Sequence, residues 1–142
     1  MRMPDVNVLV AAVHRQAVHH GIARPWLEAA YDGTKQVGLT WVALIGFIRV
    51  STRRGIFAQP LSVESALDAV NQWLVHPNTL LLAPGRRHAA LLSSLLLGAG
   101  TAGNLTTDAH LAAIAIEHGA TFASFDRDFE RFAGLHFERL RA

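Results

Sequence analysis

GNLTTDAHLAAIAIEHGATFASFDRDF, residues Gly103–Phe129, reads as a helix followed by a short strand, each with acid at one end. Thr106 or Thr107 stands where a helix cap is wanted, apolar residues run to His118, and Gly119 supplies the stop. Thr121–Phe125 has the length and residue types of a strand. Asp108 therefore falls in the first turn of the helix, and Asp126 and Asp128 fall just past the strand. An α/β fold brings strand carboxyl ends and helix N-termini to one sheet edge, where ligands bind. The helix dipole there favours a carboxylate. One more acid, Asp5, lies at the far end of the chain in the run Met3–Val10.

Working outward, the chain reads as strands alternating with helices. Met3–Val10 is a β-branched run of strand length, with Asp5 and Asn7 two apart and so on one side of it. Two polar groups on one side of a buried strand are costly unless they bind something. A helix around Arg24–Tyr31 has Pro25 in its first turn, and Val37–Trp41 reads as a second strand. Val42–Ser51 is helical, ended by Arg53, Arg54 and Gly55. Leu61–Val75 opens on Ser62 as a cap and carries Leu67, Val70, Trp73 and Leu74 on one face. Thr79–Ala83 is a third strand, Arg87–Leu97 a helix, Asp128–Phe132 a helical turn and His136–Leu140 a fifth strand. This order predicts a parallel-type α/β sheet. Neither linker nor repeat divides the chain, so 1–142 reads as one domain.

Composition narrows the chemistry. At 142 residues, 51% hydrophobic, with mean hydropathy +0.24, the chain can build a real core. No apolar run approaches a bilayer span and no signal-like segment opens the sequence, so a soluble cytoplasmic protein with no membrane partner is expected. The absence of Cys removes disulfides, thiolate nucleophiles and Cys-ligated zinc together. Net charge is only +2, but of 13 basic residues all except Lys35 are arginine, whose planar fork suits phosphate. A nucleic-acid partner is thereby permitted rather than shown.

Asp5, Asp108, Asp126 and Asp128 together predict a hard-cation site. Oxygen donors without Cys point to Mg²⁺ or Mn²⁺ rather than zinc. Such an ion keeps waters, binds substrate phosphate and can generate hydroxide. Singly, Asp128 could cap a turn and Asp108 could be an ordinary first-turn acid. Asp5 inside an apolar strand has no such ordinary role, and it is the cluster that carries the reading.

These residues carry a resemblance to a PIN domain of the VapC type, the toxin ribonuclease of a type II toxin–antitoxin pair. The likeness spans the chain: D-x-N-x-L at Asp5 and Asn7, T-D-A-H-L-A-A-I-A at Asp108, and S-F-D-R-D-F at Asp126 and Asp128. It implies a three-layer α/β/α fold with a central, mainly parallel sheet of four to five strands. It also implies Mg²⁺-dependent endoribonuclease activity, a small cognate antitoxin and a homodimer. Carried over, Asp5, Asp108 and Asp126 are metal-centred acids with Asp128 assisting, and Asn7 and Thr107 orient them. The sequence departs from the family at Gly46-Phe47-Ile48-Arg49, where E-x-x-R is usual. Trp41–Thr52 matches instead a W-x-x-L-x-x-F-x-R-x-S/T variant. One carboxylate fewer argues against a second tightly held metal and raises an alternative, a PIN-like module that binds RNA without cutting it. A nuclease acting on DNA differs only in substrate.

Other motifs carry less. Gly98–Gly103 matches G-x-G-x-x-G, but it follows a helix rather than the strand a dinucleotide site requires, so a connector is expected. A phosphoacceptor receiver domain needs a late lysine, and none exists. His110 lies about 200° around the helix from Asp108 and points away from it. Arg49, Arg53 and Arg54 could hold RNA phosphates or simply complement a helix C-terminus. Trp26, Trp41 and Trp73 are read as core or partner contacts.

Overall fold

The structure, a computed structural model, describes residues 1–142. Five strands form one sheet: β1 (Arg2–Pro4), β2 (Val37–Leu39), β3 (Thr79–Leu81), β4 (Thr121–Ser124) and β5 (His136–Arg139). Their order is β3-β2-β1-β4-β5 and every pair is parallel. Six helices connect them: α1 (Val6–Val13), α2 (His20–Asp32), α3 (Trp41–Ser51), α4 (Val63–Val75), α5 (His88–Ala99) and α6 (Thr106–His118). No helix is long and apolar enough to cross a membrane.

The helices divide between the two faces of the sheet. Val8, Leu9, Leu27, Leu44, Phe47 and Val70 of α1–α4 pack on one face with Val37 and Leu39. Leu95, Leu111 and Ile114 of α5 and α6 pack on the other with Met3 and Phe122. The expected three-layer α/β/α arrangement is the one observed, with five strands. Alanines at 109, 112, 113 and 115 let α6 lie close to the sheet, all of them buried.

The largest difference from the sequence reading is at the start. The predicted strand Met3–Val10 is a three-residue strand, a single turning residue and a helix. Pro4 has no N–H for a longer ladder, and Asp5 caps α1, its Oδ1 accepting from the Val6 amide at 2.8 Å. A fully buried helix and a buried strand are alike in apolar content over so short a run, and the cap decides between them. The predicted threonine cap of α6 is also corrected. Leu105 holds the cap position with no side-chain cap bond, because a 3₁₀ turn at Gly103–Leu105 leads straight into the helix. The connector reading of the glycines is borne out: Gly100 ends α5 in the left-handed region at φ 74°.

Candidate active site

With strand order 3-2-1-4-5, the chain leaves β1 toward β2 on one side and reaches β4 on the other only later. The carboxyl ends of β1 and β4 thus flank the point where the winding reverses, which is where open α/β sheets form a crevice. Register places Pro4 opposite Ala123, and the Asp5 amide donates to the Ala123 carbonyl at 2.9 Å. Asp5 therefore stands just past the end of β1, beside Ser124 at the end of β4. This removes the difficulty of an acid inside a strand. Asp126 follows β4 by two residues, and Asp108 enters from the first turn of α6.

Ser124 is the joint of the site. Its hydroxyl, wholly buried, donates to Asp5 Oδ2 at 2.7 Å and accepts from Asn7 Nδ2 at 3.0 Å and from the Asp126 amide at 3.0 Å. One proton given and two received use the full capacity of a hydroxyl. Asn7 closes the network by accepting from the Phe125 amide through Oδ1 at 3.3 Å. Asp126 accepts from the Asp128 amide at 2.9 Å, so Asp126, not Asp128, caps the following 3₁₀ turn at Arg127–Arg131. Sequence reading missed Ser124. The available signal was a serine two residues before an aspartate at a strand end, the spacing at which a side chain turns back on the backbone.

The acids are crowded and uncompensated. The only ion pairs, Arg24–Glu28 and Arg139–Glu130, involve none of them. Burial raises the Asp5 carboxyl above the usual carboxylate range, against the lowering effect of its Ser124 and Val6 bonds. Asp108 is pushed up to about 6, first by burial and then by the charges of Asp5, Asp126 and Asp128. Asp108 thus feels the charge of the other three acids, and Asp5 that of Asp126. No three of the chain's His, Asp or Glu side chains converge as a ready-made metal cage. Mg²⁺ held through one or two carboxylates and its own waters needs no closer convergence, so the donor set fits a hard cation.

The remaining predicted residues are placed apart from this network. Thr107 is exposed and hydrogen-bonds none of the acids. Arg49, Arg53 and Arg54 are exposed at and beyond the end of α3, and none is paired with the acids. His110 turns to His88, with ring nitrogens 2.9 Å apart. Trp73 meets Phe47 edge-on in the core, Trp26 donates to Glu138 at 2.9 Å, and Trp41 remains half exposed.

Gly46 has a structural reason to be glycine. A Cβ built on it would lie 2.6 Å from Val6 Cγ2, so Val6 occupies the space that a side chain at 46 would need. Val6 is the residue that Asp5 caps. The missing acid and the close seating of α1 on α3 are one feature.

The family model for the PIN domain matches residues 2–135. Ribonuclease VapC37 of Mycobacterium tuberculosis is 42% identical over 139 residues, covering 98% of this chain and 96% of that protein. The chain belongs to the VapC family of PIN-domain proteins. Among VapC structures, that of M. tuberculosis VapC20, a toxin that cleaves the sarcin–ricin loop, superposes with a TM-score of 0.70 at 16% identity, covering 95% of this chain and 98% of that one. VapBC2 from Rickettsia felis, bound to a DNA fragment from its promoter, gives a TM-score of 0.69 at 17% identity over 97% of each chain. At these identities the two structures establish a shared fold.

Proposed function

We propose that the chain is a Mg²⁺-dependent endoribonuclease, the toxin of a toxin–antitoxin pair, with Mn²⁺ able to replace Mg²⁺. The observation that carries the reading is the crevice itself. Four acids gather around the switch point of the sheet, none is neutralised by a basic side chain, and burial together with its acidic neighbours raises Asp108 to about 6. The VapC relatives named as ribonucleases support RNA as the substrate.

Asp5, Asp108 and Asp126 would hold the ion. Asp5 and Asp126 are positioned through Ser124 and Asn7, while Asp128 and Thr107 assist from the rim. When bound, a divalent cation supplies an activated water and offsets charge on the phosphorus oxygens. Cleavage leaves 3′-hydroxyl and 5′-phosphate ends. Arg49, Arg53 and Arg54 guide the RNA backbone from the end of α3. The partner is a small cognate antitoxin, a reading supported by the VapBC assemblies of the same fold. A homodimer is supported by Trp41 and Ile45 on α3 and by Leu80 and Leu81 on edge strand β3, all exposed apolar side chains.

Incubating the protein with single-stranded RNA and Mg²⁺, with and without EDTA, tests this directly. Fragments should appear with Mg²⁺, vanish with EDTA, and be absent for Asp5→Asn and Asp108→Asn. Undiminished cleavage by both variants would overturn the assignment. Gly46, filled by Val6, favours one second reading, an RNA-binding module that does not cut. That reading predicts retarded RNA and no fragments in either Mg²⁺ or Mn²⁺.

A further inference from the structure

Resting on that ribonuclease reading, we infer that an apolar groove beside the acids binds one unpaired nucleobase, that of the nucleotide next to the scissile phosphate, stacked on the His19 ring, which Phe125 backs from the other side. The groove has a volume of about 390 Å³, and Asp5 and Asn7 are among the residues that line it. Val6, Val10, Val18 and Phe57 line it as well. Phe125 stands between Ser124 and Asp126 in the chain, so the groove wall and the acid network are built on the same turn.

The chemistry of the lining selects the occupant. Eight of the eleven lining residues are hydrophobic, and none is Arg or Lys. A phosphate would find no cation here, whereas a neutral planar group would find a matching surface. Its wall holds two flat rings: His19 and Phe125 lie parallel to within 10°, with centroids 4.4 Å apart. His19 occupies the cap position of α2, but its side chain makes no capping bond. One face of His19 lies on Phe125, which leaves the opposite face for a stacked base. Val18, 93% exposed on the rim, is an apolar side chain left in water beside this wall. A phosphodiester placed at Asp5 and Asp126 carries its adjoining base within one nucleotide of this wall. Unpaired bases stacked on aromatic rings are the usual means by which proteins read single-stranded RNA.

The test uses a library of short single-stranded RNAs randomised at every position, cleaved by the purified protein in Mg²⁺ and sequenced at the new ends. Wild type should show a base preference at one position adjoining the cut. His19→Ala and Phe125→Leu should flatten that preference and lower kcat/KM on the favoured RNA about tenfold or more, mainly through KM, the loss of one base–aromatic stack. His19→Phe should restore affinity, and Mn²⁺ binding should be unchanged throughout. Preference profiles of the variants that superpose on wild type overturn the inference alone. The inference also fails if the variants lose only affinity for a protein partner, because the groove then serves a peptide. No cleavage of any library member by wild type overturns the ribonuclease reading itself.

Discussion

The two halves of the acid cluster are built differently. Asp5 and Asp126 are tied through the Ser124 hydroxyl, and each accepts a backbone amide hydrogen bond nearby. Asp108 and Asp128 receive no hydrogen bond on their carboxylates; they arrive from α6 and from the turn after β4 as charge alone. The first pair is held by the fold. The second is held near it against mutual repulsion, and Asp108, raised by burial and by three like charges, is the sign of that. Position and charge are separate contributions here, so substitutions should separate them.

The largest contrast is expected at Asp108. Asp108→Asn should cut RNA cleavage by on the order of 10²–10³ or more, since charge facing the phosphorus oxygens is lost. The metal-free fold should be unharmed or firmer by up to about 1 kcal/mol after solvent screening, because one repelling charge is gone. Asp5→Ala should also abolish cleavage yet cost about 1–3 kcal/mol, leaving the Val6 amide and Ser124 hydroxyl without their acceptor. Parallel denaturant unfolding and cleavage assays check both. Equal stability changes at the two positions would erase the distinction between them.

Ser124→Ala comes next. With Asn7 and the Asp126 amide left without their shared acceptor, stability should fall by about 1–3 kcal/mol. The rate should fall less than for Asp108→Asn, because all four charges remain. A rate loss equal to that of Asp108→Asn would show that position matters as much as charge.

Gly46→Glu tests the other side of Asp5. Overpacking against Val6 should cost about 1–3 kcal/mol, and Val6→Ala in the same chain should recover part of it. If Gly46→Glu is neutral by itself, steric exclusion by Val6 is not why this position lacks an acid.

The smallest expected effect is on pH dependence. Asp108 keeps its proton to about pH 6 in the folded chain but loses it near 3.8 when unfolded. The folded state therefore binds more protons across that window, and this group lowers metal-free stability as pH rises through it. Proton and cation compete, so Mn²⁺ affinity should rise from about pH 5 to about pH 7 and then level. Titration of Mn²⁺ at several pH values reads this, and an affinity that falls over the same range contradicts it.

Much of this arrangement was legible in the sequence. The helix–strand reading of Gly103–Phe129 put Asp108 and Asp126 in their places, because Gly119 stops α6 and the strand read as Thr121–Phe125 differs from β4 by a single residue. The alternation of strands and helices was enough for the layered parallel sheet. The strand end at Pro4 was not legible, since Val6–Val13 is apolar on nearly every side and has no period to distinguish it from a strand. Ser124 escaped because its role is made by tertiary neighbours, Asp5 and Asn7, some 119 and 117 residues away in the chain. The Val6–Gly46 contact is likewise a matter of helix seating. Pairings between distant segments fixed what local pattern could not.

The crevice between the ends of β1 and β4 is where the catalytic cation is proposed to bind, and everything said of cleavage depends on that. Anomalous diffraction from crystals soaked in Mn²⁺ measures it. The expected result is a peak bounded by Asp5, Asp108 and Asp126, which disappears in Asp108→Asn. A peak elsewhere, or none there in a protein that still cleaves RNA with Mn²⁺, would contradict it.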